Sequence, residues 1–220
     1  MENINTPQDL FVNIRKSIRL LYEYQKRMQG TMFHIKSVLG LSKAGRIEVN
    51  KLFSLAPRAS KEYGATQLGI DNWAWDYIYP MVMEYYLGEK KISKYDFRLS
   101  AIQVTDDGYY QAMQHNQSVK VLDTYTFSLP EESNSIVLFI MEIKQNDSSW
   151  TKRWNPDTME NNLYRWVTDS QTIIEDIIEH DNYFIVMKFS ITDLLSETSI
   201  GDVLHKISKH VEKVTGIKIM

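Results

Sequence analysis

The chain has 220 residues and 43% hydrophobic content, enough to bury a sizeable core, and its 25 basic and 28 acidic residues leave a net charge of −3. No global field therefore draws it to nucleic acid or to an anionic membrane, and any such contact needs a local patch. The absence of cysteine removes disulfides, thiolate zinc sites and cysteine nucleophiles together, and suits a reducing cytoplasm. Met1 to Asn5 lack the basic and apolar regions of a signal peptide, and no apolar stretch reaches the roughly 18 residues of a membrane span. A cytoplasmic protein with no membrane partner is the expectation.

Thr6-Pro7-Gln8-Asp9 is a helix start, with Thr6 as cap, Pro7 at the first helical position and Asp9 near the positive end of the dipole. Leu10, Ile14, Ile18 and Leu21 keep helical spacing toward an apolar face. Arg15, Lys16, Arg19, Lys26 and Arg27 lie opposite. This amphipathic helix is expected to end at Gly30, followed by a short apolar segment through Leu39 and a long irregular connection from Gly40 to Gly69. Residues 1–69 thus read as an N-terminal helical extension and connection, and residues 70–220 as the core domain.

Asp71 caps an aromatic stretch from Trp73 to Leu87, which reads as a helix broken or kinked at Pro80 and closed by Gly88. Beyond it the period changes. Phe97–Thr105, Val119–Leu129 and Ile136–Lys144 read as three strands, with Asp106-Asp107-Gly108 as a turn signal. A helix from about Thr158 to Glu179, a strand from Tyr183 to Phe189 and a helix from about Ile200 to Val214 follow. The expected fold is α/β (α+β): a mixed, largely antiparallel four-stranded sheet flanked by helices.

The third strand carries the chemistry. Its apolar run, Ile136 to Met141, ends in Glu142-Ile143-Lys144, and side chains alternate along a strand, so Glu142 and Lys144 share a face. Such a pair can hold a divalent cation and orient a water, or can be a solvated ion pair at a strand end. Glu89-Lys90-Lys91 repeats the spacing outside the central strand.

This element order, with E-x-K closing the third strand, resembles the restriction-endonuclease-like PD-(D/E)XK phosphodiesterases over about residues 70 to 190. The resemblance implies a metal-dependent nuclease acting on DNA or RNA. Asp123 and Glu142 would be the metal ligands, on adjacent strands, Lys144 the catalytic lysine and Glu84 an auxiliary acid; Asp106 and Asp107 compete for the role of Asp123. The implied cofactor is Mg²⁺ or Mn²⁺, a hard cation held through one or two carboxylates. Trp150, Lys152, Arg153 and Trp154 interleave aromatics with cations where a nucleic acid could be stacked and its phosphates held, or where tryptophans anchor a loop. Gln171 could face the site from the following helix. The five histidines form no paired ligand motif, and no G-x-S-x-G, P-loop or G-x-G-x-x-G occurs.

Two other readings fit the same residues. One is a non-enzymatic bacterial or phage interaction protein that binds a protein partner through its basic helix and aromatic surface. The other is an inactive nuclease fold that binds nucleic acid without metal.

Overall fold

The computed structural model describes residues 7–41, 48–51, 82–115, 129–145, 159–179 and 182–220. In chain order these form α1 (Pro7–Val38), β1 (Glu48–Lys51), β2 (Val82–Ile92), β3 (Tyr95–Val104), α2 (Gly108–His115), β4 (Ile136–Gln145), α3 (Met159–Thr168), β5 (Ile173–Glu179), β6 (Asn182–Ser190) and α4 (Glu197–Thr215), with a 3₁₀ turn (Ile191–Leu194) before α4. The strands make one six-stranded sheet in the order β1-β2-β3-β4-β6-β5, antiparallel at every pairing. The α/β class holds. The sheet is wider than the four strands expected, and antiparallel throughout among the described residues.

Both faces of the sheet are covered, and for that reason β4 reads as a continuous apolar run rather than an alternating one. On one face Val137, Phe139, Met141 and Ile143 pack with Ile185, Met187 and Phe189 of β6 beneath α4, whose Ile200, Val203, Leu204, Ile207 and Val211 point inward. The C-terminal half of α1 shares this layer through Met28, Met32, Ile35 and Leu39. The other face joins Ile102, Val104, Ile136, Leu138 and Ile140 to Tyr110 of α2 and to Leu163, Trp166 and Val167 of α3. Ser196 caps α4 in a capping box and Gly216, at φ 72°, ends it in the left-handed region that suits glycine.

Four sequence expectations change. Val82 to Leu87 belong to β2 and not to a helix, because nearly every one of these residues is buried, on alternate faces of a sheet; residues 71–81 lie outside the described residues. Gly88, at φ 125°, sits at a bulge between Tyr86 and Gly88 rather than at a helix end. The helix expected to reach Glu179 stops at Thr168: Asp169 Oδ1 accepts from Gln171 N at 2.8 Å in a turn, and the β-branched Ile-Ile-Glu-Asp-Ile-Ile that follows forms β5. The expected turn at Asp106-Asp107-Gly108 is present, with Asp106 Oδ1 accepting from Gly108 N at 2.8 Å, but it opens α2 where a connection between strands was expected.

The helix α1 also runs past Gly30, to Val38. Glycine costs a helix interior about 1 kcal/mol relative to alanine, less than the burial of Met28 and Met32 on either side returns. A Cβ added at Gly30 would meet nothing within 4 Å. Gly30→Ala should therefore raise the unfolding free energy by about 0.5–1 kcal/mol in urea denaturation. An unchanged or lower midpoint would contradict this account of the helix.

Candidate functional site

Glu142 and Lys144 stand half-buried on one face of β4, as the strand period requires. The register decides what they face. Glu142 lies opposite Arg98 of β3, and Arg98 opposite Glu89 of β2; Lys144 lies opposite Asp96, and Asp96 opposite Lys91. Arg98 Nε donates to Glu89 Oε2 at 3.0 Å, and the Tyr86 hydroxyl donates to the same oxygen at 3.1 Å. Two rows of alternating charge thus cross three strands, three acids against three bases. Opposite charges placed directly across strands attract, so E-x-K here completes a ladder whose field cancels locally.

The residues that the resemblance implies for a metal centre are described only in part. Both edges of β4 are taken, by β3 and β6; Asp123 lies outside the described residues, as do Trp150, Lys152, Arg153 and Trp154. Glu84, expected on a helix, is buried on β2 opposite Ile102, which pairs with Leu138. It shares the face of Glu142 but lies about 13 Å away along the strands and about 10 Å across them, too far to share an ion. Among the described residues no three His, Asp or Glu side chains gather as ligands. Of the two ligands that the resemblance implies for Mg²⁺ or Mn²⁺, the described residues include Glu142 alone.

The competing acids have local work. Asp107, buried, accepts through Oδ1 from Asn134 N at 2.7 Å and from Gln111 Nε2 at 2.8 Å, and through Oδ2 from Asn134 Nδ2 at 3.2 Å. It pins the start of α2 to the segment that enters β4. Gln171 is exposed in the turn after α3 and does not face the E-x-K end from a helix.

Nearby, Lys188 Nζ donates to Val167 O at 3.3 Å, at the negative end of α3. Burial holds its ammonium below the ordinary lysine range, an effect partly offset by the carboxylates of Asp169 and Asp107. A lowered folded pKa means that the unfolded chain binds more protons between that value and the ordinary 10.5, so stability rises with pH in that window. The stability of wild type relative to that of Lys188→Met should therefore rise from pH 8 to pH 10 in urea titrations; a flat or falling relative stability would contradict the assignment.

The second candidate surface lies along α1. Phe11, Ile14, Ile18, Leu21, Gln25, Met28, Met32, Ile35 and Leu39 alternate spacings of three and four along α1, the repeat of a packing seam. From Gln25 onward the seam is buried against the sheet. There the Tyr85 hydroxyl donates to Gln103 Oε1 at 2.7 Å and lies 3.2 Å from Gln25 Oε1, while Lys36 Nζ donates to Leu87 O and Lys90 Nζ to Leu39 O. These contacts run α1 along β2, so its first part projects past the Val82 end of the sheet. Residues 7–23 overhang by about 25 Å. Of the residues expected on the apolar face, Leu10 is exposed by 41%, Ile14 by 44% and Ile18 by 61%, with Phe11 at 58% and Tyr22 at 64% beside them. No described residue covers them.

The described residues define an α/β protein, one antiparallel sheet between two helical layers, with α1 projecting past the Val82 end of the strands. Residues 5–216 match the family model described as PM0109, and the chain belongs to that family. No curated protein and no solved structure matches it. No helix among the described residues is long and apolar enough to cross a membrane.

Proposed function

We propose that this chain is a non-enzymatic interaction protein that binds a protein partner through the overhanging length of α1. The observation that carries the reading is the continuity of the seam: the residues that would dock the helix on an apolar surface persist past the sheet and stand in solvent. Exposed apolar residues scattered singly need no explanation, but a contiguous stripe at packing periodicity does. Arg15, Lys16 and Arg19 lie off the stripe, as do the exposed Val12 and Leu20. A cytoplasmic setting, in keeping with a chain that has no cysteine, belongs to the same reading.

The test is a photo-crosslinking residue placed at Tyr22 in the cells that make the protein. A covalent protein adduct that disappears when Ile14 and Ile18 are both changed to glutamate supports the reading, and absence of any adduct overturns it. The phosphodiesterase reading has its own test on the same protein. Mg²⁺- or Mn²⁺-dependent cutting of plasmid DNA or RNA, lost in both Glu142→Ala and Lys144→Ala, would replace the proposal with a nuclease.

A further inference from the structure

We infer that the partner of the α1 overhang is a second copy of this chain, its α1 lying antiparallel along the seam about a two-fold axis near Lys16. This rests on the contact function proposed for α1 and names its occupant. The first argument is steric. From Gln25 onward the chain's own sheet occupies the seam side of α1, so a parallel second helix would drive its continuation into that sheet. An antiparallel one has its own sheet at the far end and only its overhang to fit.

Length fits as well, because the overhang of residues 7–23 is then matched by its own image. Around an axis near Lys16, Phe11 meets Leu21 of the second copy and Ile14 meets Ile18, giving four layers that place each seam residue against one of its own kind. On one flank Ser17 meets its mate, and Leu10 meets Tyr24 of the second copy. The same patch serves both copies, as a closed two-fold interface requires.

Area sets the strength. With roughly 100 Å² for each of the half-dozen apolar side chains involved, about 600 Å² is covered per copy and about 1,200 Å² in all, at the lower bound for a specific interface. The pairing is therefore a reversible dimer and not an obligate one. Charge gives a signature that separates it from other occupants. Arg15 flanks the seam close to the axis and meets Arg15 of the second copy, so added salt strengthens the dimer. A basic helix on an acidic partner or an anionic lipid surface responds in the opposite sense.

Sedimentation equilibrium of the full chain tests this. Wild type should show a monomer–dimer equilibrium that tightens with salt, and Ile14→Glu with Ile18→Glu should weaken it at least 100-fold while circular dichroism and the melting curve stay those of a folded protein. Because the chain has no cysteine of its own, a single thiol reads the orientation. Ser17→Cys should oxidise to a disulfide-linked dimer, and Phe11→Cys should not, since its mate lies about 15 Å along the axis. A monomer at every concentration, a dimer indifferent to the double substitution, or linkage at Phe11→Cys but not at Ser17→Cys would overturn it. So would flotation of a monomeric wild type with phosphatidylglycerol vesicles and not with phosphatidylcholine ones. A Tyr22 adduct with a protein of another mass would overturn the second copy while leaving the contact function of α1 standing; absence of any adduct would remove both.

Discussion

Phe139→Ala should lower the unfolding free energy by about 3–5 kcal/mol, the largest effect expected from a single substitution in this chain. Phe139 is fully buried in the centre of β4, between Ala101 of β3 and Met187 of β6 in register. Its ring meets Phe189 edge to face, with centroids 6.0 Å apart. Truncation removes the transfer free energy of the ring, forfeits the aromatic pair and leaves a cavity that two neighbouring strands, held by hydrogen bonds on both edges, cannot close. Phe139→Leu keeps most of the volume and should cost less than half as much. Chemical denaturation of the two variants checks this. A Phe139→Ala loss below about 1 kcal/mol would mean that this layer is not the core.

The second large effect is Asp107→Ala, expected to cost about 2–4 kcal/mol. Its carboxylate takes three donors, from Asn134 N, Asn134 Nδ2 and Gln111 Nε2, and Asp107 N returns a bond to Asn134 O at 3.0 Å. Removing the side chain strands donors that folding has already taken from water, which costs more than the lost bonds alone. Asp107→Asn still accepts through Oδ1 and should cost about 1 kcal/mol. Equal losses for the two variants would contradict this account of Asp107.

How much of this was legible in the sequence follows from which residues set each feature. β4, β6 and α4 announce themselves: Ile136 to Met141 is too short and too β-branched for anything but a buried strand, and the apolar spacing from Ile200 to Val211 is helical. Val82 to Leu87 misleads because a strand buried on both faces has no period of two, and its tyrosines suit either element. The hairpin joining β2 to β3 turns on Ser93 at φ 55° and Lys94, with no glycine or asparagine to signal it. Missing that hairpin hides the register, and the register is what sets Arg98 against Glu142 and Asp96 against Lys144. E-x-K could therefore be placed on one face from sequence, while the charges opposite it could not.

The α1 seam shows the same limit. Its spacing is plain in the sequence, yet spacing does not say where the sheet ends. Leu10, Ile14 and Ile18 read as core for that reason. Only the pairing of Gln25 with Tyr85 fixes the point at which the helix leaves the sheet.

Hydrogen exchange of the backbone amides of residues 10–22, followed as a function of protein concentration, tests the central claim most directly. An overhang that pairs with a second copy should gain protection in this segment as concentration rises, with that gain absent in Ile14→Glu with Ile18→Glu and with the amides of β4 unchanged throughout. Exchange in residues 10–22 that is the same at every concentration, and the same in wild type and variant, would contradict it.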